Sequence, residues 1–200
     1  IILDFVYTNY IKPTLMAPLG LILTKLKSKK NNIYLRNTKS SIRELLIRYG
    51  FISNSDINNS YIPQNFIKYE TFNGDDDESF SKYLDAQFKY INNTEIIAAL
   101  KTHIMEVFIN VKMHARTKDV SRYKNKEIFT SGFYNKDKET VIFSIANNGQ
   151  TFSENIISNL NYNFSSEKEY ILWALKKTNT STKGRTGGLG LTMLHDLVQS

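Results

Sequence analysis

The chain has 200 residues, no cysteine, three histidines and a net charge of +7. That length holds one large domain or two small ones with ample core. The missing cysteines exclude disulfides and thiolate metal sites and fit a reducing, cytoplasmic interior, no histidine pair has zinc-ligand spacing, and no apolar run is long enough to span a membrane.

No secretory signal is visible. The chain opens inside an apolar run, Ile1-Ile2-Leu3-Asp4-Phe5-Val6, so the native N-terminus is expected further upstream. Residues 1–7 read as a strand. Residues 18–27 read as a helix with Pro18 in its first turn and Leu19, Ile22, Leu23 and Leu26 along one face. A short strand over 32–35 follows. Then comes a helix capped by Ser40 or Ser41, carrying Ile42, Leu45, Leu46 and Tyr49 and stopped by Gly50. The order β-α-β-α over residues 1–62 predicts a small α/β domain.

Residues 52–80 are polar and broken, with Pro63 and the run Asn73-Gly74-Asp75-Asp76-Asp77-Glu78, and read as linker or loop. The acidic run lacks the alternating ligands of a calcium loop and suits a helix start instead. A connecting helix over 79–91 completes the linker region, 63–92. Thr94 caps a long helix to about residue 115, with Glu95 in its first turn and Ile96, Leu100, Ile104, Val107, Phe108 and Val111 on its apolar side. Residues 128–134 and 140–146 form a hairpin across Asn135-Lys136-Asp137-Lys138-Glu139. Helices are expected over 153–160 and 167–177, and a last one from Leu189.

The basic residues are scattered, apart from Lys25, Lys27, Lys29 and Lys30. They carry no recognition-helix or aromatic-basic RNA motif, so they read as a solvated surface and no nucleic-acid partner is expected.

Three segments carry chemistry. Glu106, Asn110 and His114 recur at i, i+4 and i+8 on the long helix, which places them on one side of it. Each alone suits an exposed face. Together, a carboxylate, a carboxamide and an imidazole suit a Mg²⁺-nucleotide, because Mg²⁺ takes hard oxygen ligands and a nearby carboxylate can accept a proton. After the second hairpin strand, Asn147-Asn148-Gly149 makes a sharp turn with polar side chains at its mouth. Near the end, Gly184, Gly187, Gly188 and Gly190 lead into a helix, a junction whose backbone N–H groups can meet a phosphate.

These pieces, in this order, resemble the GHKL ATPase superfamily of gyrase-type topoisomerases, MutL-type repair proteins, histidine kinases and anti-sigma serine kinases. Glu106, Asn110 and His114 match its box E-x-x-x-N-x-x-x-H. Asn147-Asn148-Gly149 falls where the family has Asp-x-Gly-x-Gly, and Gly188-Leu189-Gly190-Leu191 matches its G-x-G-L-G-L loop, with Thr186 at the first glycine. The resemblance covers residues 94–200. It implies a two-layer α/β sandwich of the Bergerat type over 93–200, binding ATP and Mg²⁺ beneath a lid at 153–186. By position, Glu106 is the general base, Asn110 the Mg²⁺ ligand, and His114 a neighbour of the phosphates. Asn147 and Gly149 lie at the base. Gly187, Gly188, Leu189 and Gly190 wrap the triphosphate beside Thr186, with Lys183 a contact to its γ-phosphate.

Asn147 stands where the family has aspartate, and Thr151 replaces a later glycine. An amide oxygen still accepts a bond from adenine, with binding weakened by roughly tenfold; donation to a guanine O6 is the alternative. The functional readings are a nucleotide-driven switch or phosphotransferase, or a degenerate site kept as a non-catalytic interaction scaffold. The Glu-first box sides with the ATP-hydrolysing and serine-kinase branches. The N-terminal domain loosely resembles STAS-like domains, through its β-α-β-α order, the entry at Pro13 to Leu19 and Tyr49-Gly50-Phe51. Thr14 is the residue nearest to where such domains accept phosphate. A nucleotide and a protein are the expected partners, a homodimer stays open, and a membrane is not among them. The stop just after the last helix suggests a truncated domain.

Overall fold

The computed structural model describes residues 1–52, 65–91, 94–114, 127–176 and 179–181. It is a mixed α/β structure whose chain divides into two compact units. The first unit gathers Ile1–Asn73, Asp85–Tyr90 and Glu127–Asn147, and the second Gly74–Leu84, Ile91–Lys126 and Asn148–Ser200.

The first unit opens with β1 (Ile2–Asp4), far shorter than the expected strand over 1–7. A 3-10 turn over Pro13–Leu15 then leads directly into α1 (Met16–Ser28). The helix therefore begins two residues before Pro18, which lies in its first turn. That position is tolerated because first-turn N–H groups have no intrahelical partner for a proline to remove. Strand β2 (Tyr34–Arg36) pairs in parallel with β1, in the register Ile2–Tyr34, Leu3–Leu35 and Asp4–Arg36.

Arg36 holds Asp4 Oδ2 through Nη2 at 2.7 Å, and Asn37 Nδ2 donates to Asp4 Oδ1 at 2.9 Å. The Asn37 bond first, and the guanidinium next, keep the Asp4 carboxyl below the usual carboxylate range.

Helix α2 (Ser40–Arg48) has Lys39 at its N-cap with no side-chain bond, so the expected serine cap is not formed. Its end is the expected one. Gly50 sits at φ +73°, its N–H donates to Ile47 O, and the Phe51 N–H donates to Leu46 O, both at 2.9 Å. That pair of bonds is a Schellman motif, which favours glycine at the left-handed position.

Residues 66–73, expected in a loop, form β3 (Phe66–Asn73) instead. This strand pairs antiparallel with β4 (Glu127–Asn135), which pairs antiparallel with β5 (Thr140–Asn147), giving the order β3-β4-β5. The alternation Phe66-Ile67-Lys68-Tyr69-Glu70-Thr71-Phe72 was the available signal. An irregularity between Ile67 and Glu70 interrupts its register, and its polar neighbours disguise it.

The core lies between α1, α2 and this sheet. Ile11, Met16, Ile42, Leu46 and Tyr49 are buried together, with Phe66 and Tyr69 of β3 packed against them. Burial pushes the Tyr49 hydroxyl pKa far up, and that hydroxyl donates to Ile11 O at 3.2 Å. Central strand β4 is buried from Ile128 to Gly132. Ser131 Oγ accepts the Ala17 N–H at 3.0 Å, satisfying a donor of α1's first turn.

Helix α3 (Asp77–Phe88) begins in the second unit and ends in the first. In the first unit, Gln87 Oε1 accepts the Lys68 N–H at 2.8 Å, and Phe88 lies 6.3 Å from Phe143.

The second unit holds the start of α3, then α4 (Thr94–His114), α5 (Phe152–Leu160) and α6 (Glu167–Ala174). Phe80 of α3 stacks on Phe108 of α4 at 4.1 Å, and Lys112 Nζ donates to Asp77 Oδ2 at 2.8 Å. Helices α5 and α6 are joined by Ser153 Oγ donating to Glu167 Oε1 at 2.6 Å. Tyr162 against Trp173 at 5.8 Å and Phe164 against Tyr170 at 4.9 Å close the turn between them. Among the described residues no helix is long and apolar enough to cross a membrane.

A Cβ added at Gly132 would collide with the Ile142 carbonyl oxygen of the neighbouring strand. Backbone in a central ladder cannot yield as a side chain does. Gly132→Ala is therefore expected to destabilise the protein by about 1–3 kcal/mol, read as a lower midpoint in urea denaturation.

Candidate functional site

Helix α4 carries the polar stripe. Its apolar side is fixed by Ile104 and Phe108, both buried, the latter against Phe80. Going round the helix at 100° per residue, Glu106 falls opposite that face and Asn110 well round from it. Both are nevertheless half-buried, whereas Met113, on the same side of the helix, is exposed. Sequence and packing together thus place a half-buried carboxylate and carboxamide one turn apart, on the side of α4 away from Ile104 and Phe108.

Asn110 Nδ2 is buried and has no hydrogen-bond partner among the described residues. A buried amide N–H left without a partner costs about 1–3 kcal/mol, so the group is enclosed without serving the fold. His103 lies on the same side, three residues before Glu106 and seven before Asn110. It is nine-tenths buried, and its Nδ1 is likewise without a partner. The spacing 103-106-110 was legible, but burial could not be read from it. His114 ends α4, and only its backbone is described.

Lys112, on the opposite flank, is taken by the start of α3. Its Nζ reaches Asp77 at 2.8 Å and Asp75 at 4.0 Å. The acidic run thus has a structural task, to begin α3 and hold α4. Among the described residues no group of three metal-ligating side chains forms. A cation would therefore rest on an amide oxygen and its own ligand's oxygens, not on a protein cage.

Asn147 is the last residue of β5, paired with Ile128 of β4, and is half-buried. Gly149 follows in the turn before α5 and is also half-buried. Asn147 belongs to the first unit, while Glu106, Asn110 and Gly149 belong to the second. Lys183, Thr186, Gly187, Gly188, Leu189 and Gly190 lie outside the described residues, as does the expected last helix.

Thr151 stands at the N-cap of α5. Its Oγ1 accepts the Glu154 N–H at 3.2 Å, and Glu154 Oε2 accepts the Thr151 N–H at 2.9 Å. This is a complete capping box, which satisfies two helix-end donors at once. The departure from glycine at 151 therefore has a local physical reason.

No family model matches the chain, and neither a curated protein nor a solved structure matches it.

Thr151→Ala removes the cap and should lower stability by about 1 kcal/mol, whereas Thr151→Ser should stay within about 0.5 kcal/mol. Urea midpoints of the two variants beside the parent measure the difference.

Proposed function

We propose that this chain is a Mg²⁺-ATP-binding module of the GHKL type, working as a nucleotide-dependent switch or as a phosphotransferase. The observation that carries the reading is the half-buried pair Glu106 and Asn110 on α4, with the buried Asn110 Nδ2 lacking a hydrogen-bond partner among the described residues. On a helix built only for packing, polar residues opposite the apolar side would face solvent and not be half-buried.

The residues suit the group they would hold. Asn110 Nδ2 has no hydrogen-bond partner among the described residues, so the carboxamide is free to turn its oxygen to Mg²⁺. When bound, the ion neutralises phosphate charge and orients the nucleotide. Glu106, one turn away, is the base that takes the proton of an attacking water or hydroxyl as the bond to the γ-phosphorus forms and the bond to ADP breaks. Asn147 meets the adenine, accepting a neutral hydrogen bond where a carboxylate would accept a stronger one. In this reading the second unit, with α4 and the turn before α5, is part of a Bergerat-type sandwich, and β1-α1-β2-α2 is a STAS-like regulatory segment.

Calorimetric titration and phosphate release test the reading. ATP with Mg²⁺ should bind better than GTP, and Asn147→Asp should tighten ATP by about tenfold. Glu106→Ala should keep ATP affinity within about threefold while slowing phosphate release by about 10²-fold or more. Absence of binding for both nucleotides at millimolar concentration sinks the proposal. Equal phosphate release from parent and Glu106→Ala leaves a binder without catalysis.

A further inference from the structure

In the β1–β2 sheet, the Tyr34 N–H donates to Ile1 O at 3.0 Å and the Phe5 N–H donates to Arg36 O at 2.9 Å. Alternate residues of a parallel strand bond the same neighbour. Tyr34 and Arg36 therefore direct their backbone groups to β1, and Leu35 turns its N–H and C=O the other way. No strand pairs with that edge among the described residues. Parallel sheets are normally larger and covered on both faces. Here every residue of β2 is exposed, Tyr34 at 60% and Leu35 at 42%.

Charge indicates what fits the edge. Residues 1–52 carry nine Lys and Arg against two acids, Asp4 and Glu44, so a charge of +7, equal to that of the whole chain, resides there. Lys29 and Lys30 lie just before β2 and Lys39 just after it, all exposed. Lys39 Nζ donates to Asn9 Oδ1 at 2.6 Å, a neutral partner, and Lys29 and Lys30 meet no carboxylate among the described residues.

We propose that the β2 edge accepts an extended, acidic segment of a partner protein as a third strand. Its backbone would pair with Leu35, its apolar residues would cover Leu35 and Tyr34, and its carboxylates would meet Lys29, Lys30 and Lys39. A nucleic acid fits less well, because β2 presents a single aromatic ring, Tyr34, where base stacking calls for a succession of them. A lipid surface offers no succession of backbone groups at strand spacing. The inference is independent of the nucleotide reading.

A labelled peptide of about ten residues alternating glutamate with valine, titrated into the full chain, tests it by anisotropy. Binding is expected to weaken about tenfold or more from low to high salt, and a lysine-valine counterpart should not bind. Lys29→Glu combined with Lys30→Glu should cost about tenfold. Leu35→Pro removes the outward N–H without touching either bond to β1 and should cost about tenfold or more. Hydrogen exchange needs no variant: the Leu35 amide should exchange fast in the free chain and at least about tenfold slower with peptide bound. Protection of that amide in the free chain overturns the proposal. So does unchanged affinity in a folded Leu35→Pro variant, or tighter binding to oligo-dT or to phosphatidylserine–phosphatidylcholine vesicles than to the peptide.

Discussion

The first unit depends on how closely α1 approaches the central strand of its sheet. Met16 and Ala17 are fully buried, and the Ala17 N–H is satisfied by Ser131 Oγ from 114 residues further along the chain. Such a buried bond adds only about 1 kcal/mol net, yet leaving the donor unmade would cost more. One turn on, a Cβ at Gly20 would strike the Tyr69 ring, so glycine is what lets the helix sit at this distance. Tyr69 in turn donates its N–H to Tyr49 O at 2.7 Å, tying β3 to the end of α2. Helix, sheet and second helix are thus set by one close approach, and the glycine and serine that allow it are far apart in sequence.

The second unit is organised by α4. One flank is held by the Phe80–Phe108 stack and by the Lys112–Asp77 pair, and these choices leave Glu106, Asn110 and His103 along another side. Fold and chemistry divide one helix between them. Among the described residues, His103 Nδ1 and Asn110 Nδ2 are buried without a hydrogen-bond partner, as are Asp77 Oδ1 and Thr38 Oγ1, and each such atom costs stability.

Much of this was legible in the chain. The hairpin, α3, α4 and the Gly50 stop follow from strong periodicity and unambiguous turn chemistry. That Glu106 and Asn110 share one side of α4 followed from spacing alone, because a helix repeats on itself every turn. What failed to show had specific reasons. The bulged register of β3 broke its alternation, and polar neighbours made it look like loop. Proline at residue 18 suggested a helix start, although a 3-10 turn had already begun the coil. Ser40 looked like a cap but entered the helix, with Lys39 at the end. Thr151 looked like a departure from a glycine pattern and is instead a cap.

Local chemistry, then, was determined by the sequence: which segments coil, which pair as a hairpin, and that a carboxylate and a carboxamide share one side of a long helix. Only the tertiary structure decided which polar groups lose their water. Burial of His103 and of the Asn110 amide, the satisfaction of Ala17 by Ser131 and, among the described residues, the unpaired strand edge at Leu35 depend on residues distant in the chain. Helical and strand periods act over a few residues, whereas desolvation depends on whatever the rest of the fold brings alongside.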